Sequence, residues 1–491
     1  MTPERAHLIK KIITLTAVTA FVLIASAVVF ILVFSDPLLN RYAKSKIEHA
    51  FNEAYPGYAL SIGSIHYNLF RNYSECRAIL LSSSDSSLQC AAGSFSVSGI
   101  GWKQLIMERE LTPETIRKSV LSAEDVTLRL KAGAGHDIHL GRLRVSVPDS
   151  QLTANDFLVE FEKAHYRLRC GVLMASARDS TLTAEGIELR TVAGDDDFFA
   201  TSAYKKMRYN ISIAMCLIRG IAVRELIDGR IFQANSLVLV RPDLDLLVNR
   251  DKPPDPNAPH PKMPAEALAA IGRRIALDTL RLQDGKLLYA ERNKEQGKHA
   301  IVTFDSARLS VLGIRNASLL DSRMQGRARD TILLRGRARF MEQGTMSVLM
   351  HIPLSLKNYS VFYTGSLTSM DATALSRFVE VSDNVRITRG MLRDASFDVS
   401  VSGGRGSGKL RLVYDDLYLT MLDEETGSKN TLGKQLTTLF ANIVKIHGSN
   451  VPNDRGELRI GSVDYVRDPT DSFMNTVWFP LRSAVRDVIG F

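Results

Sequence analysis

The sequence predicts a mainly β protein, and two patterns in its 491 residues support this fold class. Apolar and polar residues alternate through many short segments, as in Val126-Thr127-Leu128-Arg129-Leu130, which is typical of half-buried strands. Turn residues such as Gly133-Ala134-Gly135 interrupt the alternation, and helical stretches of about 10–15 residues between strands are mostly absent. We therefore expect mainly antiparallel β-sheet rather than parallel β–α units.

Three of the alternating segments supply candidate residues for an apolar sheet face. Residues two positions apart on a strand share a face. The candidates are Val126, Leu128, Leu130, Phe157, Val159, Phe161, Phe397, Val399 and Val401. The alternation shows that this face is apolar. It leaves open whether the face lines an open groove or the dry core of a sandwich.

An uncharged apolar segment, Ile12 to Phe34, lies near the N-terminus. Its 23 residues would span roughly 34 Å as a helix, against about 30 Å of bilayer hydrocarbon. A cleaved signal peptide has a shorter apolar core that ends before a small-residue cleavage site. Here Ala25-Ser26-Ala27 lies inside the apolar run. We therefore expect an uncleaved transmembrane signal anchor over residues 12–34.

The charges around this segment predict its orientation. Arg5, Lys10 and Lys11 precede it, and positive residues favour the cytoplasmic side. Residues 1–11 are then a cytoplasmic tail, and the main body lies outside the cytoplasm. The chain has a net charge of 62 − 53 = +9, which can indicate nucleic acid or an anionic surface. Export of the body argues against nucleic acid.

A proline-rich segment, 251–264, divides the predicted body. It holds six of the sixteen prolines, a density that suits neither a sheet interior nor a helix. We predict a linker or long loop between an N-terminal β region, 35–250, and a C-terminal β region, 265–491. A few short helices are also expected, two of them near the C-terminus, around Leu432–Ile446 and Phe473–Val488. Asp228-Gly229 and Asp284-Gly285 each predict a hairpin turn.

The chemistry-bearing residues predict no catalytic, cofactor or metal site. Gly403 to Lys409 matches a phosphate-binding loop in part, but Leu410 stands where that motif needs Ser or Thr. We therefore expect a hairpin loop there, and no enzyme. His136 and His139 would point to opposite faces of a strand. The 14-residue separation of Cys76 and Cys90 suits neighbouring strands, so a disulfide and buried free thiols are both open.

A basic stripe stands apart from these features. Arg335, Arg337 and Arg339 alternate with smaller or apolar residues, so the three guanidinium groups would share one face of a strand. A solvated outer face is one interpretation. Contact with anionic headgroups or with an acidic partner is the other.

Several segments together resemble the AsmA-like family of bacterial envelope proteins, relatives of the TamB and YhdP proteins. The N-terminal anchor and the short helix after it are one such feature. The others are Leu60 to Phe70, Phe95 to Ile106, Ile221 to Asp245 and Gly408 to Tyr418. In that order, these four segments are similar to the family's first hairpin, to its strand followed by a short apolar turn, to its recurrent pair of strands and to its C-terminal part. The likeness covers most of the chain through patterns rather than invariant motifs.

The resemblance implies a fold, a place and a role. The fold is an elongated antiparallel β-sheet groove, or a sandwich, with an apolar inner face. The place is the bacterial inner membrane, with one span and a periplasmic body. The role is to hold or conduct phospholipid and to support outer-membrane assembly, with envelope proteins as further partners. The alternative is a non-enzymatic periplasmic scaffold that binds envelope proteins or the cell wall.

Overall fold

The computed structural model describes residues 40–41, 44–68, 71–99, 117–130, 136–222, 231–293, 298–316, 331–355, 359–422 and 448–490. The predicted anchor 12–34, the Asp228-Gly229 hairpin and the helix around Leu432–Ile446 lie outside these residues. Within the described ranges, no helix is long and apolar enough to cross a membrane. The chain divides into two compact units between Ala164 and His165.

Unit 1 is an antiparallel meander in which strands adjacent in the chain pair in the sheet. Helix α1 spans Lys44–Ala54, and a 3-10 helix, Glu162–Ala164, ends the unit. The strands are β1 (Tyr58–Asn68), β2 (Tyr73–Ser83), β3 (Leu88–Ser98), β4 (Val120–Leu130), β5 (His136–Ser146) and β6 (Gln151–Phe161). All six have 11 residues, and most strand starts are 15 residues apart. The alternation found in the sequence therefore corresponds to a regular strand-and-turn repeat.

Side chains, rather than another strand, cover the free edge of β1. Three oxygens accept hydrogen bonds from β1 backbone N–H groups: Asn40 Oδ1 from Ile65 at 2.7 Å, Glu48 Oε1 from Ile62 at 2.7 Å and Asn52 Oδ1 from Leu60 at 2.9 Å. Glu48 and Asn52 are four residues apart and therefore share one face of α1. An unpaired edge is a template for aggregation, and this polar face occupies it.

Unit 2 contains the remaining strands and four helices. The strands are β7 (Tyr166–Ser176), β8 (Thr181–Thr191), β9 (Met207–Arg219), β10 (Ile231–Asn249), β11 (Arg274–Asn293), β12 (Lys298–Arg315), β13 (Thr331–Phe340), β14 (Gly344–Pro353), β15 (Ser360–Leu367), β16 (Met370–Asp371), β17 (Val385–Ser402), β18 (Arg405–Met421), β19 (Ile460–Ser462) and β20 (Tyr465–Val466). The helices are α2 (Asp195–Ala200), α3 (Pro264–Ala269), α4 (Ser376–Ser382) and α5 (Phe473–Ile489), with a 3-10 helix at Ala372–Leu375. The mainly β fold with a few short helices is confirmed, and α5 is one of the two C-terminal helices predicted.

One strand pair corrects the expectation of antiparallel pairing. β10 and β11 are parallel, from Ile231 opposite Arg274 to Asn249 opposite Arg292. Parallel neighbours need a crossover of about a dozen residues or more, and the proline-rich segment together with α3 provides it. The segment 251–264 thus joins adjacent strands inside unit 2, whereas the division between the units falls at Ala164. The other strand pairs among the described residues of this unit are antiparallel.

The Asp284-Gly285 hairpin prediction is wrong. Both residues lie inside β11, where Asp284 has φ 53° and the register with β12 shifts on both sides of Gly285. A β-bulge and a tight turn both need a residue that tolerates positive φ. The dipeptide therefore gives the same sequence signal for two different structures.

Candidate functional site

Apolar rows cross the sheet of unit 1. In β6, Leu152 and Ala154 precede the midpoint, and Phe157, Val159 and Phe161 follow it. The step from Ala154 to Phe157 is three residues, so two successive residues face outward there. This shift keeps both halves of the strand apolar on one face, which we call the trough.

The strand register makes these rows continuous. One row runs through Leu60, Leu81, Cys90, Leu128, Ile138 and Val159. A second runs through Ile65, Cys76, Phe95, Ala123, Leu143 and Ala154. Each row takes one side chain from every strand from β1 to β6. The trough therefore extends across the whole unit.

A left-handed residue at the middle of every second strand produces the shift. These residues are Ala78 in β2, Asp125 in β4 and Asp156 in β6, with φ of 50°, 52° and 52°. A glycine lies beside each on the preceding strand, at Gly63, Gly93 and Gly141. A Cβ at Gly141 would lie 3.1 Å from Asp156 Cβ, so the neighbouring side chain would have to shift. The left-handed residues and their glycines form one line across the meander, which we call the left-handed line.

The strands keep one register on both sides of this line, so neither strand of a pair gains a residue there. Asp125 and Asp156 are exposed and face away from the apolar rows. The left-handed residues therefore shift the alternation while the apolar face stays continuous.

Among the described residues of unit 1, the trough has no second layer over it. The extensive contacts are between strands adjacent in the chain and between α1 and β1. Ile62, Ile65, Ala154 and Val159 are buried, but most other trough side chains stay partly exposed, and Phe95 is 37% exposed. A contiguous apolar face of this kind commonly marks a binding surface.

Left-handed residues also occur in the first strands of unit 2. Gly186 in β8, Arg241 in β10 and Ser306 in β12 have φ of 63°, 47° and 49°. Gly186 lies beside Gly171 of β7, which repeats the relationship between Asp156 and Gly141. Apolar side chains of these strands form a second apolar face within unit 2.

Helix α2 fills one end of that second face. Phe198 and Phe199 are buried with Leu247 and Ala290, and Tyr166 packs against them. The Phe198 and Phe199 rings meet edge to face, with 5.5 Å between their centroids. We call α2 with these two rings the plug.

Two arginines hold the plug in place. Arg208 is 5% exposed, and its guanidinium contacts Asp195 at 3.0 Å and Asp245 at 2.7 Å. Arg292 contacts Asp196 at 2.6 Å and lies over the Phe199 ring. The acidic run Asp195 to Asp197 thus anchors a helix. Among the described residues, no group of three His, Cys, Asp or Glu side chains could hold a metal ion.

The C-terminal part of unit 2 is closed. Val399 is 2% and Val401 0% exposed, in one core with Ala484 of α5. The Tyr363 hydroxyl donates to the Val477 carbonyl of α5 at 2.7 Å, and burial raises the pKa of that tyrosine. Helix α5 therefore covers the sheet here.

The predicted face residues fall into two environments. Val126, Leu128, Phe157, Val159 and Phe161 lie in the open trough of unit 1. Leu130 ends β4, and its side chain lies outside the described residues. Phe397, Val399 and Val401 belong to the closed core beneath α5. Lipid contact at these positions stays a prediction.

The cysteines are free thiols. Cys76 is opposite Phe95, and Cys90 is opposite Leu81, which separates the two cysteines by five residues along paired strands. That offset is about 16 Å, well beyond the roughly 7 Å limit between disulfide Cα atoms. Of the two alternatives left open by the sequence, the structure has the free thiols. Burial raises the pKa of both.

Two other motifs have structural roles. Gly403 and Gly404 form the turn between β17 and β18, with φ of 57° and 79°, so this segment is a hairpin loop as predicted. His139 lies on β5 and its Nδ1 is 3.3 Å from the Thr127 hydroxyl.

Sequence analysis missed the left-handed line, which consists of the left-handed residues and the glycines beside them. Its signal is a small or left-handed-tolerant residue at the sixth position of successive 11-residue strands, where the alternation slips by one. In a single segment that slip is indistinguishable from a strand end. The recurrence at 15-residue spacing is the information that would have found it.

Comparisons with known proteins add one neighbour. No family model and no curated protein matches the chain. One similar solved chain is LptH, the LptA-homologous periplasmic component of the lipopolysaccharide transport device from Pseudomonas aeruginosa. The match has 6% identity and a TM-score of 0.16, and covers 24% of this chain and 75% of LptH. At that TM-score it carries no argument. The class that the described residues define is a mainly β protein with an apolar face that no described element covers.

Proposed function

We propose that this chain is an inner-membrane-anchored protein of the bacterial envelope. Its periplasmic body holds or conducts phospholipid along the trough and supports outer-membrane assembly. The observation that carries the proposal is the continuous apolar rows of β1–β6, which no described element covers. The apolar segment 12–34 and the resemblance to the AsmA-like family support the anchor and the compartment.

The energetics of lipid transfer fit such a surface. Exposure of about 30 CH₂ groups of a diacyl lipid to water costs roughly 24 kcal/mol, at about 0.8 kcal/mol each. An apolar sheet face that contacts the acyl chains lowers that cost without enclosing the lipid. Six strands at about 4.8 Å spacing give roughly 24 Å of trough, longer than the about 15 Å of hydrocarbon in one leaflet.

The proposed role requires no chemical step. Phospholipid movement along an apolar face breaks no covalent bond, so the proposal assigns no catalytic residue and no cofactor. Its ligand is phospholipid, and envelope proteins are its further partners. Nucleic acid has no part in it.

Charge substitution in the trough tests the proposal. Leu128→Glu and Phe157→Glu place a carboxylate on the apolar face, whereas Thr127→Glu and Leu158→Glu place it one residue away on the opposite face. Full-length protein is extracted from cells without added lipid, and bound phospholipid is counted by native mass spectrometry and lipid extraction. We expect the trough variants to lose phospholipid and the controls to retain it. Equal lipid content in all four variants, or none above a β-protein control in the unsubstituted chain, contradicts the proposal.

The scaffold alternative has its own supporting observation. The core beneath α5 is closed, with Val401, Tyr363 and Ala484 each at most 2% exposed. A closed core suits a protein that presents its outer surface to other proteins. If the purified chain carries no phospholipid, this alternative gains, and the next search is for an envelope protein partner.

A further inference from the structure

The outer face of β11–β13 carries an arginine cluster that the trough does not explain. Arg335, Arg337 and Arg339 are exposed on β13, as the alternation predicts. Two further exposed arginines lie on the neighbouring strands: Arg308 is directly opposite Arg337, and Arg281 of β11 is opposite Ser310, which is opposite Arg335. Together these five side chains form the arginine patch.

The patch has no counter-charge. Among the described residues, none of its five guanidinium groups makes an ion pair with a carboxylate. Asp305 is opposite Arg339 in register, yet no ion pair joins them. Like charges directly opposite each other destabilise a sheet, so the Arg308–Arg337 pair has an energetic cost that an external anion would relieve.

Other arginines of unit 2 differ in this respect. Arg389 and Arg393 are also exposed and Arg411 is half-buried, but each contacts an aspartate: Asp416 at 3.1 Å, Asp415 at 2.7 Å and Asp394. Within the described part of the chain, these arginines of β17 and β18 are neutralised, whereas those of the patch have no carboxylate partner. The difference marks the patch as a surface for a negatively charged partner.

Apolar side chains beside the patch indicate which partner. The next row across the same face is Leu312, Leu333, His351 and Phe362 in register. Leu312 is 38% and Phe362 44% exposed. Basic side chains next to exposed apolar ones are typical of surfaces that lie on anionic membranes, where cations bind phosphates and apolar groups enter the interface. Binding of an acidic protein would require only the arginines and would not explain the exposed apolar side chains beside them.

We propose that this outer face docks on the phosphate headgroups of an anionic phospholipid bilayer. The arginine patch binds the headgroups, and Leu312 and Phe362 enter the interfacial layer. This docking is independent of the cargo of the trough, because the arginine patch lies on β11–β13 and the trough lies on β1–β6.

A two-membrane assay tests the docking. The full chain is placed in nanodiscs of phosphatidylcholine, so that the apolar segment 12–34 is occupied. Capture of separate vesicles is then measured, with phosphatidylcholine alone or with added phosphatidylglycerol. We expect capture of the anionic vesicles only, weakening with salt as the charges are screened. The variant R335Q/R337Q/R339Q should lower the affinity on the order of 100-fold, at about tenfold or less per basic side chain.

A matched variant separates the patch from net charge. R389Q/R393Q/R411Q removes the same three charges from arginines that are already paired, and should change the affinity less than about threefold. An equal loss in both triple variants, or no capture of anionic vesicles by the unsubstituted chain, overturns the proposal. Poly-glutamate is the third probe. If it binds through the patch while anionic vesicles do not, the partner is an acidic protein and membrane docking is wrong.

Discussion

Gly141 and Asp156 approach so closely on neighbouring strands that a Cβ at position 141 would lie 3.1 Å from Asp156 Cβ. Asp156 has a left-handed backbone at this contact, with φ of 52°. The same contact recurs between Gly93 and Asp125, at 3.2 Å. The shift of alternation that keeps the trough apolar therefore depends on residues that face away from it.

Gly141→Val should destabilise unit 1 by about 1–3 kcal/mol, because the added side chain overpacks against Asp156. Asp156→Gly in the same chain should restore much of the loss, since it removes the neighbour and suits positive φ. Urea unfolding, followed by hydrogen exchange in β5 and β6, measures both. Gly57→Val is the control, because no heavy atom lies within 4 Å of its added Cβ. If Asp156→Gly restores none of the stability that Gly141→Val loses, the close-approach account is contradicted.

Removal of the polar cover of β1 should loosen that edge. In N40A/E48A/N52A, the amides of Leu60, Ile62 and Ile65 lose their acceptors. Each hydrogen bond is worth about 1 kcal/mol, so hydrogen exchange at these amides should quicken roughly five- to tenfold.

The freed edge should also promote self-association at high concentration, which sedimentation velocity measures. K46A/H49A/E53A is the control on the same helix. If both triple variants exchange at the rate of the unsubstituted chain, α1 does not protect the edge.

Arg208→Met should release the plug. Asp195 and Asp245 lose their shared partner, at a cost of about 2 kcal/mol for hydrogen bonds to a charged group. Phe198 and Phe199 then become accessible, and chymotrypsin should cleave after them at a higher rate. Arg190→Met, at an exposed position of β8, should leave cleavage unchanged. Equal cleavage in the two variants would mean that the ring packing alone holds α2.

Cys76 and Cys90 report on trough occupancy without any substitution, and Cys170 and Cys216 of unit 2 serve as internal references. Burial raises the pKa of each thiol, so the thiolate fraction at pH 7 falls below that of a free thiol. Alkylation should therefore be slow at pH 7 and should accelerate as the pH passes 9. Cys76 and Cys90 lie in the trough rows, so lipid removal should speed their labelling further. Rates equal to glutathione at pH 7, or rates indifferent to lipid removal, would contradict this.

Local pattern was sufficient to predict the strands and their apolar faces. Phe157, Val159 and Phe161 lie together in the trough because side-chain alternation is set by strand geometry alone. The helix predicted from apolar periodicity around Phe473–Val488 is also close to the observed bounds of α5, Phe473–Ile489. Such features depend on residues near each other in the chain.

Long-range pairing could not be predicted in the same way. Nothing near residues 251–264 says that they return the chain to lie parallel to β10. Val159 and Val399 have the same alternating surroundings, yet one lies in an open trough and the other lies beneath α5. What covers a face depends on elements far away in the sequence, so alternation alone cannot separate a groove from a core.

Photocrosslinking in living cells tests the central claim most directly. A photoreactive amino acid is placed singly at Leu128 or Phe157, in the trough, and at Thr127 or Leu158, on the opposite face of the same strands. The account predicts phospholipid adducts on the full chain at the two trough positions and none at the two controls. Adducts at all four positions, or at none, would contradict a phospholipid path along this face.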